Sequence, residues 1–458
     1  MSQKPQYLML MAVLVAVACS DNTVSSPSPR AIEPTNNNAV YRALGTDERL
    51  VAMGTSISAG WASNGMYEGS QQGAWPALLD FGNSDPMTLP LIQSPGCISP
   101  LIAPLGANAR LSGETFAGST VCAPNVAGVT LPTQNVALPT AIAADALQKT
   151  PQIAGASLPF YSRVLAPGMT QLTAALSQNP SIVSVEFGGN EVLGATSGLF
   201  ALGITVVPFP FFAQPYGILL DALSASQKKV VLVSLLSDAR NVPAMRRATD
   251  IWANRDEFAR LHVTVSSDCE NSPNYINVST KSIAMAFAGA ATAAAGQPAP
   301  VYSCADIPGT TDAVLTPTDI AAANALIAQM NTFIQQQAEA RGFALFSLSA
   351  LYERNEGKQP YSIVAQLTST APYGQEISLD AIHPSSFGHQ LLAHAAAKAI
   401  RETYGKGQPN SLKVRAEISL AEQLVEPTVP AFALEQARQL TARNANARVP
   451  ACFVPGAC

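Results

Sequence analysis

The order of apolar runs in this 458-residue chain predicts an α/β fold, a three-layer α/β/α sandwich with a mainly parallel sheet in the middle. Strand-like runs at 182–187, 229–235 and 343–348 alternate with segments of helical spacing. An earlier run, Arg49-Leu50-Val51-Ala52-Met53, reads as another short buried strand and ends at Gly54, which permits a sharp turn. A residue just past that turn would sit at the carboxyl edge of the sheet, where open α/β folds collect their ligands.

Lys4 precedes an apolar run from Tyr7 to Ala18, too short to span a bilayer and matching a signal-peptide core, so residues 1–18 are expected to be removed. Ala16-Val17-Ala18-Cys19 resembles a bacterial lipoprotein cleavage box with Ala16 where Leu is usual, which implies lipidation of Cys19. Two or more acyl chains anchor stably where one is marginal, and Ser20 in place of Asp favours export to the outer membrane. The expected location is therefore the cell envelope, on the periplasmic face or the surface. An ordinary signal peptide with a coincidental cysteine is the alternative. Residues 19–40 follow as a Ser-, Pro- and Asn-rich flexible tether, 41–405 as the folded domain with loop insertions, and 406–458 as an extension without catalytic signal.

Within the domain, Ser56 falls on the first turn of whatever follows the first strand. Between 86 and 144 the only charged side chains are Arg110 and Glu114, and 195–220 carries none but includes Val207-Pro208-Phe209-Pro210-Phe211-Phe212 and Tyr216. These stretches are expected either to wall an apolar substrate pocket or to cover the sheet edge. The clearest helix begins at the capping box Thr316-Pro317-Thr318-Asp319, runs with Ile320, Ala323, Ile327, Met330 and Ile334 on one stripe, and closes at Gly342.

Composition narrows the function. Only 12% of residues are charged and the net charge is −5, which gives no case for nucleic acid. No His/Cys/Asp/Glu cluster has metal-ligand spacing and no Gly-rich phosphate loop is present, so neither a metal nor a cofactor is expected. Apart from Cys19, six cysteines fall into three local pairs: Cys97 with Cys122, Cys269 with Cys304, and Cys452 with Cys458. Six cysteines allow fifteen pairings, and nearest-neighbour bridges in loops are the preferred set, consistent with an oxidising compartment.

Three short segments carry chemistry: Gly54-Thr55-Ser56-Ile57-Ser58, Gly188-Gly189-Asn190, and Asp380-Ala381-Ile382-His383-Pro384. A serine hydroxyl is a weak nucleophile until a base accepts its proton. His383 is the natural base, with Asp380 three residues earlier to hold its Nδ1 proton and leave Nε2 free. Asn190 offers an amide to an oxyanion. Each segment alone is an ordinary turn or helix start; order and placement beside strands make them a set. His389 and His394 read as packing or surface residues of a following helix.

The set resembles the SGNH (GDSL-type) hydrolase family, whose blocks read Gly-Asp-Ser-Leu-Ser, Gly-x-Asn-Asp and Asp-x-x-His-Pro. The resemblance spans residues 48 to 402 and implies a flavodoxin-like sheet of the SGNH-hydrolase type. It implies Ser56 as nucleophile, Asp380 and His383 as the rest of a triad, and Ser56 and Asn190 as oxyanion donors. A further backbone donor is Thr140, which stands in the family's Gly position in Asn135-Val136-Ala137-Leu138-Pro139-Thr140, or else Gly128. Thr55 and Glu191 replace two family Asp residues, so the polar network around the serine is expected to differ. The expected activity is cleavage of carboxylic esters, small-molecule or lipid, through an acyl-Ser56 intermediate. A non-catalytic lipoprotein binding module on the same fold and an acyltransferase are the alternatives.

Overall fold

The computed structural model describes residues 48–80, 86–354 and 360–405. The expected signal peptide, Cys19, the tether, the extension 406–458 and the pair Cys452–Cys458 lie outside the described residues. Nine strands are described: β1 (Leu50–Gly54), β2 (Ile182–Glu186), β3 (Lys229–Ser234), β4 (Met245–Arg247), β5 (Thr264–Val265), β6 (Tyr275–Asn277), β7 (Val301–Tyr302), β8 (Val314–Leu315) and β9 (Ala344–Ser347).

β1, β2, β3 and β9 form a parallel sheet in that order. Residues 135–138 run along the outer edge of β1: Val136 N–H donates to Ala52 O at 2.9 Å and Leu138 N–H to Gly54 O at 3.0 Å. With that segment included, the order across the sheet is second, first, third, fourth, fifth in the chain, the flavodoxin-like arrangement whose switch point lies between the first and third. Here the switch point is the gap between the carboxyl ends of β1 and β2, where Ser56 emerges.

The strands are buried on both faces, and their side chains alternate between two cores. Leu50, Ala52, Val231 and Val233 point into the layer holding the helices Trp75–Leu79 and Ser386–Tyr404. Val51, Met53, Val183 and Leu232 point into the layer of Phe209–Ala225 and Pro317–Arg341. That last helix starts and stops as its sequence predicts: Asp319 N–H donates to Thr316 Oγ1 at 3.2 Å, Thr316 N–H donates to the Asp319 carboxylate at 2.9 Å, and Gly342 caps the end at φ 64°. Burying its Ile327, Met330 and Ile334 stabilises the fold by about 1.5–3 kcal/mol each.

Two excursions leave this frame. Residues 86–134 form an irregular loop in which Cys97 and Cys122 are disulfide-bonded. Residues 235–316 leave β3 and build an antiparallel sheet β4-β6-β8, a pair β5-β7 and the helix Lys281–Ala294, with Cys269 bonded to Cys304. Both disulfides are the nearest-neighbour pairs expected. No helix of the described residues is long and apolar enough to cross a membrane.

Candidate active site

β1 ends at Gly54, with φ 155° and so little room that a Cβ would stand 2.7 Å from the Glu186 carbonyl. Only glycine lets the chain turn there, and Ser56 becomes the first residue of a one-turn helix, Ser56–Ala59. Asp380 and His383 come from the turn before the helix Ser386–Tyr404. The two turns meet: Ser56 Oγ lies 2.8 Å from His383 Nε2, and His383 Nδ1 lies 3.0 Å from Asp380 Oδ2. All three residues are buried, with Ser56 and His383 each 7% exposed.

Asp380 is saturated with donors. The backbone N–H groups of Ile382 and His383 donate to Oδ1 at 3.0 and 2.8 Å, and that of Asn64 to Oδ2 at 2.9 Å. Burial alone would raise this carboxyl, but the charge and hydrogen bonds of His383, with the N–H of Asn64, outweigh it and hold the group down at about 2. An ionised Asp380 fixes the tautomer with a proton on Nδ1 and the lone pair of Nε2 aimed at Ser56. Beyond His383 stands the Trp61 ring, 6.2 Å away between centroids, itself edge-on to Phe160 at 5.5 Å.

Three residues outside the segments of Ser56, Asn190 and His383 hold the serine turn. Glu186, the last residue of β2, accepts from Thr55 Oγ1 at 2.8 Å, Thr55 N–H at 3.0 Å and Ser58 N–H at 3.2 Å. It brings from the neighbouring strand the carboxylate that Thr55 lacks. Burial pushes its carboxyl up, and the bonds from Thr55 and Ser58 pull against that. The Gln171 amide clamps the Gly54 peptide from both sides, accepting from its N–H at 2.9 Å and donating to its carbonyl at 3.1 Å. Asn135 Nδ2 donates to Ser58 O at 2.8 Å. The one sequence signal was a charge, Glu186, at the end of an otherwise apolar strand.

Asn190 sits at the start of the short helix Gly189–Leu193, and its Nδ2 donates to Ala141 O at 2.8 Å, leaving its second amide hydrogen for another acceptor. Glu191, the other departure from the family blocks, accepts from Ala143 N–H at 2.8 Å and Gly188 N–H at 3.0 Å. It ties this helix to the segment 139–143. Burial pushes its carboxyl up to about 7 against those hydrogen bonds. Thr140 lies in the same segment, exposed, with φ 67°, the left-handed conformation that glycine takes most readily. Gly128 lies elsewhere, in an exposed turn closed by Val129 N–H to Val126 O at 3.2 Å. His389 is buried and His394 partly buried on the helix Ser386–Tyr404, as packing residues.

Ser56, Asn190 and His383 border a cavity of about 810 Å³, open mouth included. The aromatic stretch does not wall it: no residue of 207–220, nor any of 86–144, borders that space. Helical periodicity explains which of the two expectations holds for the aromatic stretch. On Phe209–Ala225 the residues Phe212, Tyr216, Leu219 and Leu223 share one buried stripe in the core that also holds Val51, Met53, Val183 and Leu232 of the sheet, and Phe212 and Tyr216 each meet Phe333 of the neighbouring helix Pro317–Arg341 at 6.2 Å, so they cover the sheet instead. From the charge-free 195–220 stretch only Ala195 and Thr196 reach the cavity.

The sequence profile of a family described as GDSL-like Lipase/Acylhydrolase matches residues 50–396. No curated protein matches the chain. Among solved structures the chain is similar to Axe2, an acetylxylan esterase from Geobacillus stearothermophilus, at 12% identity and a TM-score of 0.31, covering 78% of this chain and 96% of that one. A single-residue variant of that acetyl-xylooligosaccharide esterase matches at 11% identity and a TM-score of 0.32 over the same shares.

Proposed function

The chain belongs to the GDSL-like lipase/acylhydrolase family, and we propose that it is a serine esterase that cleaves carboxylic esters through an acyl-Ser56 intermediate. The observation that carries this reading is the unbroken chain of contacts from Ser56 Oγ through His383 to Asp380, 2.8 Å and then 3.0 Å. As His383 Nε2 takes the hydroxyl proton, Ser56 Oγ attacks the ester carbonyl carbon, and the carbonyl oxygen becomes an oxyanion. Asn190 donates its second amide hydrogen to it. The Ser56 N–H, at the first position of its helix and without an acceptor among the described residues, donates as well. Of the two backbone groups expected to assist, Thr140 is favoured, because its segment touches Asn190 and its conformation is that of a glycine.

Collapse of the intermediate breaks the bond to the alkoxide, which leaves with the proton from His383. A water then gives a proton to the same nitrogen and attacks the acyl carbon; the bond to Ser56 Oγ breaks, that oxygen takes the proton back from His383, and the acid is freed. Thr55 and Glu191, the departures that suggested a non-catalytic module, both join carboxylate networks that hold the site together. An organophosphonate should label Ser56 in the wild type, and Ser56→Ala should lose both labelling and nearly all ester turnover. Labelling of another serine would overturn the assignment.

We propose further that Cys19 carries a lipid anchor in the cell envelope, with 19–40 as tether. Cys19→Ser should then abolish detergent partitioning of the mature protein, and unchanged membrane association would exclude the anchor.

A further inference from the structure

The cavity beside Ser56 is made almost wholly of hydrocarbon. Its lining includes Leu193 from the helix that carries Asn190, Leu235 and Leu348 beyond the ends of β3 and β9, Ile327 from the long helix, and Met245 and Leu315 from the inserted sheet β4-β6-β8. The few polar side chains at its border are already committed. Thr55 is bound to Glu186, Thr196 Oγ1 donates to Leu193 O at 2.8 Å, and Tyr352 Oη donates to Ile382 O at 2.6 Å. Apart from the reacting set of Ser56, His383 and Asn190, no side-chain donor is left over for a ligand, and the three committed hydroxyls can only accept. A carbohydrate placed there would give up most of its bonds to water for few in return.

We infer that this cavity is an acyl pocket, which takes the hydrocarbon chain of a fatty acyl ester and ends on Met245 and Leu315 of the inserted sheet. The inference rests on the reading of Ser56 as nucleophile and adds the substrate class. The acyl part belongs in the cavity because it stays on Ser56, whose neighbour Asn190 shares the cavity wall. The alcohol leaves with the proton of His383, and that ring also faces Trp61, which does not border the cavity. The excursion 235–316, which has no part in the triad, thereby acquires a role as the chain-length gauge.

Two ester series test this on the full-length protein. Esters of one alcohol with acyl chains from acetyl to dodecanoyl should show kcat/KM rising about fourfold per added methylene, the transfer free energy of one CH₂, until the cavity is filled. Acetates of alcohols from methyl to dodecyl should stay flat. Met245→Trp should lower the ratio of decanoyl to acetyl kcat/KM by about tenfold or more, and Met245→Ala, which enlarges the end, should move the optimum to longer chains. A flat acyl series, a rise in the alcohol series instead, or an unchanged profile in both variants overturns the acyl pocket while phosphonate labelling of Ser56 persists. Loss of labelling together with no hydrolysis of any ester overturns the nucleophile itself, and the pocket's role falls with it.

Discussion

The two turns that meet at Ser56 Oγ are held in opposite ways. The turn carrying Asp380 and His383 is shaped largely from within, its carboxylate binding the backbone N–H groups two and three residues ahead of it as well as the ring it orients, while Ser63 and Asn64 tie it to distant sequence. The turn carrying Ser56 depends on Asn135, Gln171 and Glu186, which stand 77, 117 and 131 residues from their partners. One is built around a local motif. The other exists only once β1 and β2 are in register, with Gly54 opposite Glu186.

Breaking the local turn should cost most. Asp380→Asn keeps the shape but loses the charge and the tautomer it selects, and kcat should fall by about 10⁴; a loss under about tenfold, measured with the best ester found, would mean that His383 is oriented by its backbone alone. Next comes the donor between the turns. Asn190→Ala should lower kcat by about 10² to 10³ with little change in folding, and a rate within about threefold of wild type would reduce Asn190 to a turn residue.

The non-local turn should be softer but repairable. Glu186→Gln presents an amide to donors that need an acceptor, and is expected to lower kcat by about tenfold while KM stays within about twofold, since Glu186 touches no substrate. Adding Thr55→Asp to that variant returns a carboxylate to the family's usual place and should recover part of kcat. Thr55→Asp alone sets two buried carboxylates together and should lower the melting temperature. If the double variant is worse than Glu186→Gln, the turn does not need a carboxylate as such.

The smallest effect concerns pH. Glu191 titrates at about 7 in the folded chain against 4.5 in its ordinary state, so the folded protein holds an extra proton between those values. Its contribution, about 3 kcal/mol, is fully present below pH 4.5 and is lost as pH rises through about 7. Denaturant unfolding across that window should show stability falling with pH, and Glu191→Gln should flatten the slope. An equal slope in the variant would assign the effect to another group.

Legibility follows range. The long helix could be read end to end because its cap, stripe and terminal glycine act within a few residues of one another. The pairing of Asp380 with His383 was legible for the same reason, and a glycine turn at a strand end leaves Ser56 few other places. Glu186 and Gln171 carried no motif, since a bond to Thr55 from a neighbouring strand or to Gly54 from a neighbouring helix depends on how those elements come together. The aromatic run at 207–212 left its choice between pocket wall and sheet cover to the phase of its helix, which only the packed sheet determines.

From the sequence alone came the α/β class, the alternation of strands and helices, the three segments that meet around Ser56 and two of the disulfide pairs, all of which rest on periodicity, turn chemistry or short separations. The tertiary structure alone decided which carboxylate supports the Ser56 turn, what lines the cavity and that the excursion 235–316 contributes to that lining. Those depend on which distant segments share a surface, and burial of apolar area drives that choice without leaving a local signature.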